Sequence, residues 1–149
     1  MLLAAYFRSQ RKIVLICAST ALAAQNYPNE GTTAHYLFKL PVEDEDLKEV
    51  DDEPIKCLLA TIPERLELVQ EAHVIIWDEF PSNERACFQA VYESKDLKNM
   101  RGKTLNALGN FKQILPVGMG MQDVLDSTII QSPYWPVFKV YCTVGRQNY

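Results

Sequence analysis

The sequence predicts an α/β fold with a mostly parallel sheet, and two observations carry that expectation. The apolar runs Ile13–Cys17 and Val74–Trp77 are short and continuous rather than alternating, the pattern of strands buried on both faces. Segments of helical period lie around them, so strands alternate with helices along the chain. The length of 149 residues, with 48% hydrophobic and 23% charged residues, suits one domain with an ordinary core and excludes general disorder. No apolar run reaches the ~18 residues of a membrane span.

Met1–Gln10 reads as a helix with Leu2, Leu3, Tyr6 and Phe7 on one face, and Arg8, Arg11 and Lys12 suit its C-terminal end. After the first strand, Ser19 or Thr20 caps a helix over Ala21–Gln25, which ends at Asn26-Tyr27-Pro28. Asn29–Thr32 reads as a turn and Thr33–Leu37 as a short helical turn. Glu64–Ala72 is amphipathic, with Leu66 and Val69 inward and Leu68 a third candidate. The strand Val74–Trp77 stops at Asp78-Glu79. Glu84–Ser94 is helical and buries Cys87, Phe88 and Val91. Thr104–Leu108 is a third strand, weakened by Asn106, Met121–Ile130 another helix, and Val137–Cys142 a fourth strand.

The net charge of −4 hides a block. Residues 43–53 hold eight acids and one lysine, while Lys95–Tyr149 holds seven basic residues against three acidic. A run of like charge is ordinarily a solvated loop. With it set aside the remainder is mildly basic, so a nucleic-acid partner is not excluded. Cys17, Cys57, Cys87 and Cys142 are far apart and form no C-x-x-C pair, which favours reduced structural thiols over a metal site and suggests an intracellular protein. A rival reading takes Arg8–Ala24 as a secretory signal with an Ala-x-Ala site. It would discard Cys17 and leave three cysteines, and the stretch before the basic residues is too long for its first region.

Val74-Ile-Ile-Trp-Asp78-Glu79 has the form of a Walker B element, a buried strand delivering two carboxylates to the sheet edge where ligands of open α/β sheets bind. The first acid can hold magnesium through water, and the second can polarise the water that attacks a γ-phosphate. A strand running into a solvated turn explains the same residues equally well. Further on, Gly109 lets the chain leave the third strand beside the acid pair, and the Gln113 amide could reach a terminal phosphate. A plain turn with a proline stop is the alternative there.

Taken in order, Lys12-Ile-Val-Leu-Ile-Cys-Ala-Ser-Thr-Ala-Leu-Ala-Ala24, Gly31-Thr-Thr-Ala-His35, Phe38-Lys-Leu-Pro41, Ile75-Ile-Trp-Asp-Glu-Phe-Pro81, Arg85-Ala-Cys-Phe88, Asn110-Phe-Lys-Gln-Ile-Leu-Pro-Val117 and Ser132-Pro-Tyr-Trp135 resemble the first RecA-like domain of the PIF-type (petite integration frequency) DNA helicases, in a Helitron-like flavour. The resemblance covers nearly the whole chain. It implies a P-loop NTPase (RecA-like) three-layer sandwich over 1–149, a partial helicase domain 1A with an acidic loop at about 42–54. The activity it implies is 5′-to-3′ ATP-dependent DNA unwinding in repair, recombination and telomere maintenance. ATP would be the substrate with Mg2+, single-stranded DNA and duplex junctions the partners, and the nucleus the setting, with the mitochondrion as an alternative. By position, Asp78 would bind magnesium, Glu79 would activate water, Gln113 would sense the γ-phosphate, and Ser19, Thr20 and His35 would lie along the single strand. Ser19 and Thr20 as a helix cap, and His35 as a loop residue, are the plainer alternatives.

The chain departs from that pattern in several places. It contains no G-x-x-x-x-G-K-S/T loop, which the resemblance would set upstream of Met1; Gly102-Lys103-Thr104 precedes a strand and lacks the first glycine. Asn110 stands where the family has Asp, Lys112 where it has Arg, and one glycine of a pair is missing. Arg146 fits the family's phosphate-binding arginine only with a one-residue slip. A second motor domain is lacking as well. The expectation is therefore an incomplete motor, lacking the P-loop strand and turn and inactive alone, from a truncated gene model, a decayed transposon copy or one exon of a larger protein. The alternatives are a non-catalytic DNA- or protein-binding remnant and, from the signal-like start, a small secreted domain.

Overall fold

The computed structural model describes residues 2–41, 55–97, 100–110 and 128–141. Four parallel strands form one sheet in the order β2-β1-β3-β4: β1 is Val14–Ala18, β2 Gly31–Thr33, β3 Val74–Asp78 and β4 Thr104–Ala107. The two strands read as continuous apolar runs lie side by side at the centre, in register from Val14 opposite Val74 to Ala18 opposite Asp78. Both faces are covered, as a buried parallel sheet requires.

Side-chain alternation assigns the faces. Val14 and Ile16 of β1 and Val74 and Ile76 of β3 pack with Ala4, Leu3 and Phe7 of helix α1 (Leu2–Ser9). Cys17, Ile75 and Trp77 point to the other face, into the larger core with α3 (Ala34–Phe38), α4 (Pro63–Glu71) and α5 (Arg85–Tyr92). Trp77 is fully buried between the rings of Phe38 and Phe80, and Phe80 in turn meets Phe88 and Phe138. This aromatic row lies beneath the C-terminal end of β3 and holds the exit of that strand in place.

Several expectations are corrected. The turn expected at Asn29–Thr32 contains an edge strand instead, since Gly31, Thr32 and Thr33 pair with Ile16, Cys17 and Ala18. Three residues carry too little periodicity to announce a strand. Gly31 is needed there, because a Cβ would lie 2.7 Å from Tyr27 Cβ and 2.8 Å from the Ala24 carbonyl oxygen. The fourth strand expected at Val137–Cys142 is not formed over its described residues: Trp135–Val137 is a 3-10 turn, and Val137, Val140 and Tyr141 are exposed. Pro136 cannot donate to a ladder, and burial goes to Trp135 and Phe138 instead. Of the helix expected over Met121–Ile130, residues 121–127 lie outside the described residues, while Ile129–Gln131 is a 3-10 turn. Leu68 on α4 is exposed, and on α1 the buried stripe is Leu3-Ala4-Phe7, with Leu2 and Tyr6 rotated to the outside.

Other expectations hold. Thr20 is the N-cap of α2 (Ala21–Ala24), its hydroxyl oxygen accepting from the Ala23 amide at 3.1 Å. The β4 strand forms although the buried Nδ2 of Asn106 finds no acceptor among the described residues. Lys103 precedes β4, and its Nζ donates to the carbonyls of Gln70 (2.5 Å) and Ala72 (2.8 Å). It therefore caps the end of α4 at the entry edge of the sheet, opposite the edge that carries the acid pair. No disulfide joins the described cysteines; Cys17 is fully buried, and burial pushes its thiol far up from the ordinary range. No described helix is long and apolar enough to cross a membrane.

Candidate functional site

Parallel order brings the C-terminal ends of β1, β3 and β4 to one edge. The β1 exit is tied to β3 by the Ser19 amide, which donates to the Asp78 carbonyl at 3.0 Å. The β4 exit is tied by the Leu108 amide to the Trp77 carbonyl (2.8 Å) and by the Phe80 amide to the Leu108 carbonyl (2.9 Å). Gly109 then passes so close to Pro81 that a Cβ would sit 2.3 Å from Pro81 Cδ, with φ at +153°. The expected glycine exit beside the acid pair is thus present. Residues 111–127 and 142–149 lie outside the described residues, and with them Gln113 and Arg146.

Asp78 shares the parity of Val74 and Ile76, so its half-buried carboxylate is on the α1 side of the sheet. Each of its oxygens accepts one hydrogen bond: Oδ1 from the Glu79 amide at 2.9 Å, and Oδ2 from the Tyr27 hydroxyl at 2.5 Å. Burial, then the hydrogen bond to Asp78 and the charge of Asp78, push the Tyr27 phenol up to about 12. It remains a donor throughout the neutral range. Glu79 is exposed and left-handed, with φ +47° and ψ 32°. A non-glycine residue held in that region is strained, and such strain gathers at functional sites. Its Oε2 accepts from the Thr20 hydroxyl at 2.7 Å.

The neighbouring hydroxyl goes elsewhere. Ser19 Oγ accepts from Trp77 Nε1 at 3.1 Å, on the aromatic side of the sheet. There a cavity of about 170 Å³ is lined by Ser19, His35, Ile55, Asn83, Glu84 and Cys87 among others. His35 is half-buried on α3, its Nε2 3.7 Å from Cys87 Sγ. The buried Nδ2 of Asn83 has no acceptor among the described residues. The residues expected along a single strand therefore separate: Ser19 and His35 share this cavity, whereas Thr20 turns to Glu79.

Asp78, Glu79 and the Thr20 hydroxyl bring to one sheet edge oxygen groups of the kind a hard divalent cation takes. Among the described residues no three His, Cys, Asp or Glu side chains gather into a metal cage. A cation at this edge would have to draw most of its ligands from water and phosphate, as magnesium can. Sequence reasoning missed Tyr27, because a tyrosine in a polar turn gives no sign that it will meet an acid 51 positions away.

The comparisons with known proteins agree with this fold. The family model described as PIF1-like helicase matches residues 1–146. A search of curated protein sequences finds no match. Among solved structures, the Pif1 helicase from Candida albicans is similar with a TM-score of 0.63 and 25% identity, over 91% of this chain and 30% of that one. A Bacteroides Pif1 bound to ssDNA matches at 0.61 and 17% identity, over 87% of this chain and 31% of that one. The Bacteroides protein in complex with ADP-AlF4 gives 0.61 and 17%, over 89% and 31%. The chain spans about a third of the length of these proteins.

Proposed function

Because the chain belongs to the PIF1-like helicase family, we propose that it is part of the first motor domain of an ATP-dependent, 5′-to-3′ DNA helicase. The observation that carries this reading is the pair Asp78 and Glu79 at the C-terminal edge of β3, with the Thr20 hydroxyl on Glu79. Magnesium, when bound with ATP, neutralises developing charge on the phosphates. Asp78 would hold it through water, and Glu79 would accept a proton from the attacking water. Thr20 fixes the Glu79 carboxylate, and the left-handed backbone turns that side chain away from the strand direction. Gln113 is assigned to sensing the γ-phosphate and Arg146 to stabilising transferred charge. Ser19 and His35, which share the cavity beside Trp77, are assigned to the single strand, whose phosphates polar groups and backbone amides can grip, while Thr20, given the same role by the resemblance, is held at Glu79. The similar Bacteroides structures, one bound to ssDNA and one holding ADP-AlF4, support both ligand classes. Roles in DNA repair, recombination and telomere maintenance, and a nuclear location, belong to the same reading.

The 149 residues contain no G-x-x-x-x-G-K-S/T loop. Charge-assisted hydrogen bonds contribute about 1.5–3 kcal/mol each, so lacking three weakens ATP by roughly 10³-fold or more. The chain by itself is therefore expected to show no DNA-stimulated ATPase. Turnover that disappears in an Asp78→Asn, Glu79→Gln double variant would refute that inactivity. The second reading, a non-catalytic DNA- or protein-binding remnant, is motivated by the lack of a G-x-x-x-x-G-K-S/T loop in these 149 residues. Titration with single-stranded DNA at two salt concentrations tests it: binding with a steep salt slope supports the DNA-binding remnant, and no binding at low salt counts against it.

A further inference from the structure

Tyr27 is held on three sides. Its carbonyl accepts from the amides of Glu30 (3.1 Å) and Gly31 (2.8 Å), and its Cβ leaves Gly31 no room for a side chain. Its ring packs on the α1 face of the sheet with the cluster that includes Val14, Ile16 and Ile76. From there the hydroxyl donates to Asp78 Oδ2 at 2.5 Å, while Oδ1 is taken by the Glu79 amide.

We propose that Tyr27 is a latch on Asp78: its hydroxyl takes one acceptor site of Oδ2 and fixes the carboxylate, so it competes with the water of a hydrated divalent cation, which gains Asp78 more readily when the hydroxyl is gone. The inference rests on the reading of Asp78 as the cation-holding acid. Phenol and cation-bound water offer the same thing, an O–H donor to a carboxylate oxygen, and at this distance the phenol bond is a charge-assisted one. The ring is fixed by packing that does not involve the hydroxyl, so Tyr27→Phe removes the donor and leaves the wedge. Tyr27 touches neither phosphate nor water in this scheme; it acts through Asp78.

The test is a Mn2+ titration of the full 149-residue chain, followed by paramagnetic broadening of the Ser19 and Glu79 backbone amides. These groups donate to the Asp78 carbonyl and to Oδ1, and the Asp78→Asn variant separates their broadening from any caused by the eight acids of residues 43–53. In Tyr27→Phe, half-broadening is expected at roughly tenfold lower Mn2+ than in the wild type, the effect of removing one charge-assisted competitor. Adding Asp78→Asn should abolish that broadening. Equal or weaker Mn2+ binding in Tyr27→Phe, with Asp78→Asn still abolishing it, overturns the latch and leaves the cation reading intact. Broadening that is missing in both proteins, or indifferent to Asp78→Asn, overturns the cation reading and the latch with it.

Discussion

The Thr20 hydroxyl donates to Glu79 Oε2 at 2.7 Å while its oxygen accepts the Ala23 amide at 3.1 Å. One small side chain therefore ends β1, starts α2 and fixes a carboxylate that arrives from 59 positions further along the chain. Thr20→Val removes both bonds and keeps the shape. It is expected to lower stability in urea by about 1–2 kcal/mol, the loss of one helix cap plus part of an exposed hydrogen bond. Thr20→Ser, which keeps the hydroxyl, should recover most of it.

The backbone of Glu79 supplies a second test. With φ at +47° it lies where glycine rests without strain. In a Thr20→Val background, where the carboxylate has already lost its donor, Glu79→Gly is expected to raise the urea midpoint by the equivalent of about 0.5–1 kcal/mol. A fall instead would mean that the left-handed turn carries no strain.

Tyr27 makes stability depend on alkaline pH. Its phenol is raised from the ordinary 10.0 to about 12 in the folded chain. The folded state thus keeps a proton that the unfolded chain has lost. Stability from this group is complete below pH 10 and fades as pH rises through 12. Denaturation followed from pH 9 to about 12 should show a steeper loss in the wild type than in Tyr27→Phe. Lys103, shifted downward by burial, is present in both proteins and cancels in the comparison.

Gly109 tests the path of the chain out of β4. A methyl group there would overlap Pro81 Cδ, at 2.3 Å, on a backbone that already disfavours side chains. Gly109→Ala should cost about 2 kcal/mol or more, measured by urea unfolding. Gly102, with open space around it, has φ +75°, and Gly102→Asn should be nearly neutral because asparagine tolerates the left-handed region.

What could be read from the sequence was local and strongly patterned. β1 and β3 announce themselves because both faces are buried and the runs Val14–Ala18 and Val74–Trp77 are apolar throughout, and Asp78-Glu79 stands out because the apolar run stops there. The strand β2 could not be read, since Gly31-Thr32-Thr33 earns its ladder only by lying beside β1. Val137–Cys142 shows the reverse error: apolar residues suggested a strand, and whether a segment joins a sheet depends on a partner edge that no local pattern encodes. Leu68 failed for a similar reason, because α4 presents Val69 to the core and a helix just nine residues long buries one narrow stripe. The acid pair was legible, whereas the hydroxyls that hold it were not. Thr20 reads as a cap or as a residue along the single strand, and Tyr27 as a turn residue.

Ser19 and Thr20 are consecutive, yet one hydroxyl meets Trp77 on the aromatic side and the other meets Glu79 at the acid pair. A single planar peptide unit thus joins the cavity beside Trp77 to the acid pair at the sheet edge. A shift of the β1 exit therefore displaces the backbone that carries both hydroxyls, one bonded to Trp77 and the other to Glu79.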